Sequence, residues 1–182
     1  MIYLASSSPS RAKILKNAKI PFKQIFFDYD ESALYTKNAL SYPAAITALK
    51  AKQFFAYYGS RYDGVLFADS SVICGDLILG KAKNENEARK MLALQSAKAV
   101  SVASAMKFVS SKICLEALSV TDFIFNEFKK SDLDEYIASG LWRGKAGAMM
   151  IEGFNGRYIK KQHGSQANAM GLDIDILLNF LR

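Results

Sequence analysis

Met1-Ile2-Tyr3-Leu4-Ala5-Ser6-Ser7-Ser8-Pro9-Ser10-Arg11 opens the chain, and the reading of this stretch decides how the rest is organised. Ile2 to Ala5 form an apolar run that reads as a short strand and stops at three serines. Pro9 stands where a helix begins, since its fixed φ and missing N–H suit the first helical position. Ser8 is then the natural N-cap, and Arg11 falls in the first turn. A strand that delivers hydroxyls, free backbone N–H groups and a guanidinium to a helix N-terminus can bind an anion. The same residues also describe an ordinary strand–turn–helix with a serine cap, and the stretch alone leaves both readings open.

Working outward, 182 residues and 20.1 kDa suit one globular domain over 1–182, with room for two lobes. Half the residues are apolar, at 51%, so a substantial core can form. The net charge of +7 could serve nucleic acid or polyanionic small molecules. No block of five or more like charges appears, so a basic nucleic-acid tail is not expected. Cys74 and Cys114 lie far apart in apolar runs and read as buried, reduced thiols of a cytoplasmic protein. No signal peptide or membrane span is expected. His163 is the single histidine, which excludes a His-rich zinc site and argues against a His-based triad.

Helices are expected over 11–19 and 43–58, the latter with Ile46, Leu49, Phe54 and Tyr57 at helical spacing. Asn84 should cap a helix running to about Leu94, with Glu87 at the capping-box position. Ser131 opens a helix ending near Gly140, and a last helix runs from Asn168 or Leu172 to Leu181. Strands are expected over 21–27, 64–68 ending at Asp69, 71–74 and 77–79 around a Gly75-Asp76 turn, 99–109, 113–128 and 157–161. Antiparallel hairpins beside crossover helices make the class α/β with a mixed sheet.

Asp30 and Glu31 follow the second strand, Asp69 closes a buried Val-Leu-Phe-Ala run, and Lys81 follows the Gly75 hairpin. A carboxylate at the carboxyl end of a strand is well placed for an α/β active site, although Asp69 could equally cap a turn with Ser70 and Ser71. Lys50, mid-helix, reads either as a solvated lysine or as a site residue. Carboxylates that hold Mg²⁺ or Mn²⁺ and orient water, beside cations that neutralise phosphate charge, suit a metal–phosphate reaction. No Gly-x4-Gly-Lys-Ser/Thr loop is present, which disfavours a P-loop NTPase.

Leu4-Ala5-Ser6-Ser7-Ser8-Pro9-Ser10-Arg11 resembles the signature of the Maf family of nucleoside triphosphate pyrophosphatases. Asp30-Glu31, Ile46 to Ala51, Ala68-Asp69-Ser70, Leu79-Gly80-Lys81, Glu87-Ala88-Arg89, Tyr136 to Gly140, Lys145 to Ala148 and Asn168 to Leu172 resemble its later motifs in order. The resemblance implies hydrolysis between the α and β phosphates, to a nucleoside monophosphate and pyrophosphate. It implies Asp69, Glu31 and Lys81 as catalytic residues, with Glu31 and Asp69 at a divalent metal, Mg²⁺ or Mn²⁺. Ser6, Ser8, Arg11 and Lys50 would bind phosphate. It also implies an elongated mixed sheet in two lobes around a cleft, and a homodimer.

The chain departs from the family pattern at several motif positions. Ser10 stands for an arginine, Ala82 for a proline, Leu141 to Gly144 for Glu-Pro-Leu-Asp, and Asp173 for a proline. Met149 to Gly153 replaces Tyr-Gly-Ile-Gln-Gly, so that Glu152 stands where a glutamine is usual. A carboxylate accepts hydrogen bonds but donates none, so Glu152 would read a different base edge. The branch acting on 7-methyl-GTP resembles this chain here, whereas the branch acting on dTTP and UTP keeps the glutamine. Glu152 is therefore a candidate base-binding residue; alternatively it is a turn carboxylate paired with Arg143 or Arg157. A non-catalytic division-regulating or nucleic-acid-associated protein on the same scaffold is the competing function.

Overall fold

The computed structural model describes residues 1–32, 34 and 38–181. Its strands are β1 (Ile2–Leu4), β2 (Phe22–Gln24), β3 (Val65–Cys74), β4 (Leu77–Leu79), β5 (Ala99–Val109), β6 (Cys114–Phe125) and β7 (Ile159–His163). Its helices are α1 (Pro9–Asn17), α2 (Tyr42–Tyr58), α3 (Glu85–Gln95), α4 (Lys130–Ser139), α5 (Gln166–Ala169) and α6 (Ile174–Leu181). The strands form one seven-stranded mixed sheet in the order β2-β1-β3-β5-β6-β7, with β4 also paired to β3. β1 runs parallel to β2 and β3, and the remaining pairs are antiparallel, so the expected mixed α/β class holds.

Local chemistry explains most element ends. The Ser8 side chain accepts from the Arg11 N–H with Pro9 at the first helical position, as the opening stretch predicts. α1 stops two residues short of Lys19, because Lys19 turns left-handed (φ 55°) and donates to the Lys16 carbonyl while Ile20 donates to Leu15. α3 is capped by Asn84, which accepts from Glu87 N–H. Glu87 reaches back to the N–H of Lys83, one residue further than an ordinary capping box.

Several expected boundaries change where tertiary pairing overrides local pattern. β3 is one continuous ten-residue strand, with Asp69 at its middle rather than at its end or in a turn with Ser70 and Ser71. β5 holds it straight, pairing from Val65↔Val109 to Ile73↔Ser101. β2 is only three residues long, because its partner β1 ends at the serines. α4 begins at Lys130 after Lys129, so Ser131 lies inside the helix. The expected last helix is two, α5 and α6, broken around Gly171 at φ 113°. β7 starts later than expected because Asn155–Tyr158 winds as a 3-10 turn.

The two thiols are free, but Cys74 is half-buried and Cys114 exposed, which corrects the expectation that both are buried. Tyr57 also points outward at 74% exposure, off the buried stripe of α2. Three apolar clusters fill the interior. One gathers Phe123, Phe125, Trp142 and Phe154 with α3 and α4; a second gathers Leu4, Leu15, Leu66 and Leu177; a third gathers Ala5, Phe54 and Phe67 beneath α2. Among the described residues no helix is long and apolar enough to cross a membrane.

One feature of the sheet leaves room for a polar cleft. On the edge of β3 opposite β5, β1 pairs with Val65 and Leu66, and β4 pairs with Val72 to Cys74. Residues 67–71 lie between these two partners and pair with neither. Asp69, Ser70 and Ser71 sit in that gap.

Candidate active site

A cleft of about 1050 Å³ opens at the gap. Ser6, Ser8 and Arg11 line it from the β1–α1 junction, Glu31 from the loop after β2, and Lys50 from α2. Asp69 lines it from β3, Lys81 from just after β4, and Glu152 from the loop that follows α4. These eight site candidates therefore border one cavity, whereas Asp30 does not line it and instead bonds to Ser32 and Gln53.

Lys50 is the pivot. It belongs to the buried stripe Ile46, Lys50, Phe54 of α2, spaced four apart, so the helix aims it inward. Its Nζ lies 2.8 Å from Asp69 Oδ1 and 2.9 Å from Glu31 Oε1, bringing both carboxylates within reach of one ammonium. Its ammonium also lies 5.7 Å from the centre of the Tyr29 ring. The Tyr29 hydroxyl, 3.3 Å from the Ala5 carbonyl, is pushed up by burial and then by Tyr58. Tyr42, at the first turn of α2, is raised by burial and by the charges of Glu31 and Asp69.

Arg11 ties three segments together. Its Nε donates to the Gly171 carbonyl at 2.9 Å, Nη1 to Ser6 Oγ at 3.1 Å, and Nη2 to Ser70 Oγ at 3.1 Å. The Ser8 N–H also donates to Ser6 Oγ at 3.3 Å. Burial pulls the Arg11 guanidinium below its ordinary value, while Asp69 and Glu31 act in the opposite direction. It remains cationic, because a guanidinium starts so far above neutrality.

The opposite wall is stitched from β4 and the 145–152 loop. Lys81 and Ala146 form an isolated antiparallel bridge, and the Gly147 N–H donates to the Leu79 and Gly80 carbonyls. Gly147 has φ 61°, and a Cβ there would meet Val72 Cγ1 at 2.9 Å, so the approach needs glycine. Glu152 pairs with Lys145 at 3.5 Å. It pairs with neither expected partner, because Arg143 reaches Glu85 and Arg157 reaches Asp132.

Lys145 and Ser70 are among the site-lining residues that sequence reasoning passed over, as are Tyr29 and Tyr42. Lys145 and Ser70 lie inside segments already marked by motif, Lys145 to Ala148 and Ala68 to Ser70, but nothing local says which side chain meets Glu152 or Arg11. Among the described residues, no group of three or more His, Cys, Asp or Glu side chains could hold a metal ion. Glu31 and Asp69 nevertheless suit Mg²⁺, which is commonly held by one or two carboxylates together with substrate phosphates and water.

Comparison with known proteins identifies the family. The family model described as Maf-like protein matches residues 1–182. A nucleoside triphosphate pyrophosphatase of Campylobacter jejuni is 42% identical over 100% of both chains. Another so named, from Nitratiruptor, is 41% identical over 97% of this chain and 96% of its own. A dTTP/UTP pyrophosphatase of Pseudoalteromonas atlantica is 31% identical over 96% of this chain and 92% of its own. With the whole chain matched and its motif residues gathered around one cleft, this protein belongs to the Maf-like protein family.

Proposed function

We propose that this protein is a nucleoside triphosphate pyrophosphatase that cleaves between the α and β phosphates to give a nucleoside monophosphate and pyrophosphate. The observation that carries the reading is Lys50 held between Glu31 and Asp69, in the same cleft as Arg11 and Lys81. The names of the Campylobacter and Nitratiruptor relatives support it.

In this reading Asp69 orients the attacking water and takes its proton as the oxygen bonds to the α phosphorus and the bond to the β-phosphate oxygen breaks. Such a displacement needs positioning and charge stabilisation rather than a covalent nucleophile. Arg11, Lys50 and Lys81 balance the negative charge of the triphosphate, and Ser6 and Ser8 bind phosphate through hydroxyls and N–H groups. Glu31 and Asp69 would hold a divalent metal, Mg²⁺ or Mn²⁺, which when bound supplies Lewis-acid polarisation of the phosphate oxygens.

The base is proposed to be a methylated purine, with 7-methyl-GTP as the lead substrate. Glu152 lines the cleft as an acceptor-only carboxylate whose charge favours a cationic ring. Preference for dTTP or UTP is the competing reading. It is favoured by the ion pair with Lys145, which already balances Glu152, and by the name of the Pseudoalteromonas relative. A homodimer, resting on the resemblance, and a cytoplasmic location, resting on the reading of the two cysteines as reduced thiols, complete the proposal; nucleic acid is not proposed as a partner.

The test is pyrophosphate release from a panel of standard and methylated nucleoside triphosphates with Mg²⁺ or Mn²⁺ and an EDTA control. Turnover that EDTA abolishes supports the enzyme, and the preferred base decides between the two substrate readings. No turnover with any nucleotide, together with salt-sensitive binding to DNA or RNA, would favour the non-catalytic protein instead.

A further inference from the structure

We infer that Ser104, a buried residue of β5, is a positioning residue that sets the orientation of Arg11 through Ser70. The inference rests on the proposed role of Arg11 at the phosphate end of the cleft, and it adds a residue that no motif singles out.

The geometry forms a chain of hydroxyls running inward from the guanidinium. Arg11 Nη2 donates to Ser70 Oγ at 3.1 Å, and the Ser70 and Ser104 hydroxyls lie 2.8 Å apart. Ser104 Oγ lies 2.8 Å from the Asn168 carbonyl. A carbonyl only accepts, so the single proton of Ser104 goes to Asn168. The proton between the two serines therefore comes from Ser70, which leaves the Ser70 lone pairs to accept from Arg11. Ser104 thus fixes how the Ser70 hydroxyl rotates, and with it which face Ser70 offers to the guanidinium.

The far end of this chain is anchored. Asn168 donates from Nδ2 to the Val102 carbonyl at 3.3 Å and to Thr121 Oγ1 at 2.9 Å, while Thr121 donates to the Ser165 carbonyl at 2.7 Å. These bonds clamp α5 onto β5 and β6. The segment leaving α5 then supplies the Gly171 carbonyl that takes Arg11 Nε. A Cβ at Gly171 would come within 3.4 Å of both Arg11 Nε and Ser70 Oγ, so the backbone passes close to both partners. Arg11 is thereby held at both ends of its fork by groups that Ser104 and Asn168 set in place. Arg11 lines the cleft, so the orientation these bonds set is the one it presents there.

Ser104 is 4% exposed and outside the cleft lining, and its hydroxyl bonds to Ser70 and Asn168 rather than to Asp69, Lys50 or Lys81. The route from Ser104 to phosphate binding that these bonds provide runs through Ser70 and Arg11, and a double-mutant cycle measures that coupling. The probe is inorganic tripolyphosphate, titrated calorimetrically into the full-length protein and into Ser104→Ala, Arg11→Ala and the double variant. Ser104→Ala is expected to weaken binding about tenfold where Arg11 is present, and to change it less than about twofold in the Arg11→Ala background. An equal loss in both backgrounds, or no loss with Arg11 present, overturns the inference.

If Ser104→Ala does not fold, Ser70→Ala enters the same cycle with the same expectation. Pyrophosphate release from nucleoside triphosphates, measured alongside, separates the two claims. A coupled cycle without turnover removes the proposed activity and keeps the positioning role. Turnover with an additive cycle does the reverse.

Discussion

Lys50 Nζ lies 2.8 Å from Asp69 Oδ1 because one face of α2 carries the lysine into the apolar stripe between Ile46 and Phe54. A lysine so placed keeps its stem among apolar neighbours and its charge between two carboxylates. Lys50→Met preserves the stem and removes the charge, leaving Glu31 and Asp69 facing each other. Turnover is expected to fall at least about 100-fold. Stability should drop by only about 1–2 kcal/mol, because Glu31 is 43% exposed and solvent takes up part of the repulsion. Steady-state kinetics and chemical denaturation check the two halves separately.

Asp69→Asn tests the water-orienting role. The amide keeps an acceptor toward Lys50 but cannot take a proton, so turnover should fall by roughly 10²–10⁴. Nucleotide binding measured in EDTA, where the proposed metal role of Asp69 is silent, should change by less than about fivefold, since the loss of the base is felt in the transition state. Near-native activity in this variant would remove Asp69 from the chemistry.

Glu152→Gln restores a donor at the base end of the cleft. The ratio of kcat/KM for 7-methyl-GTP over dTTP is expected to fall at least about tenfold. A ratio that stays put would make Glu152 a partner of Lys145 and nothing more.

Gln95 is fully buried and supports that wall from behind. Its Nε2 donates to the Gly147 carbonyl at 2.6 Å, and its Oε1 accepts from Asn155 Nδ2 at 3.1 Å. Gln95→Leu strands both partners, at a cost of about 2–4 kcal/mol, or a melting temperature lowered by roughly 5–15 °C. A melt within a degree or two of the parent would mean the loop holds itself.

Asp132 gives a pH signature away from the cleft. Its carboxyl is held below the ordinary carboxylate range, first by the Tyr158 hydroxyl at 2.7 Å, then by Ser131, with Arg157 and Lys129 adding to it. A lowered folded-state pKa contributes stability above the unfolded value, and that contribution is lost as pH falls through the folded value. The stability difference between the parent and Asp132→Asn should therefore hold from about pH 5 to 8 and shrink as pH drops below about 4. Melting curves across that range measure it, and a difference that persists into strong acid would contradict the assignment.

The Ser8 cap, the Pro9 start and the hairpin at Gly75-Asp76 were legible because short-range chemistry decides them. The unbroken course of β3 through Asp-Ser-Ser was not, since its straightness comes from β5, some thirty residues away. Lys50 carried a readable signal in its spacing from Ile46 and Phe54, which ranks it with buried residues despite its charge. The Glu152 partner was hidden because Arg143 and Arg157 are drawn off to Glu85 and Asp132, contacts that only the folded chain reveals. The split between α5 and α6 follows from the left-handed backbone at Gly171, a position that a helical pattern in the flanking residues masks.

The bond from Arg11 Nε to the Gly171 carbonyl joins residues 160 apart. On the ribosome, a nascent chain that has already made β1, α2 and β3 still lacks this partner. The cleft therefore reaches its final form only after residue 171 has emerged and the segment leaving α5 has docked. Any truncation before residue 171 leaves the guanidinium without one of its three holds, so premature products would be defective at the anion-binding end even where the sheet itself survives.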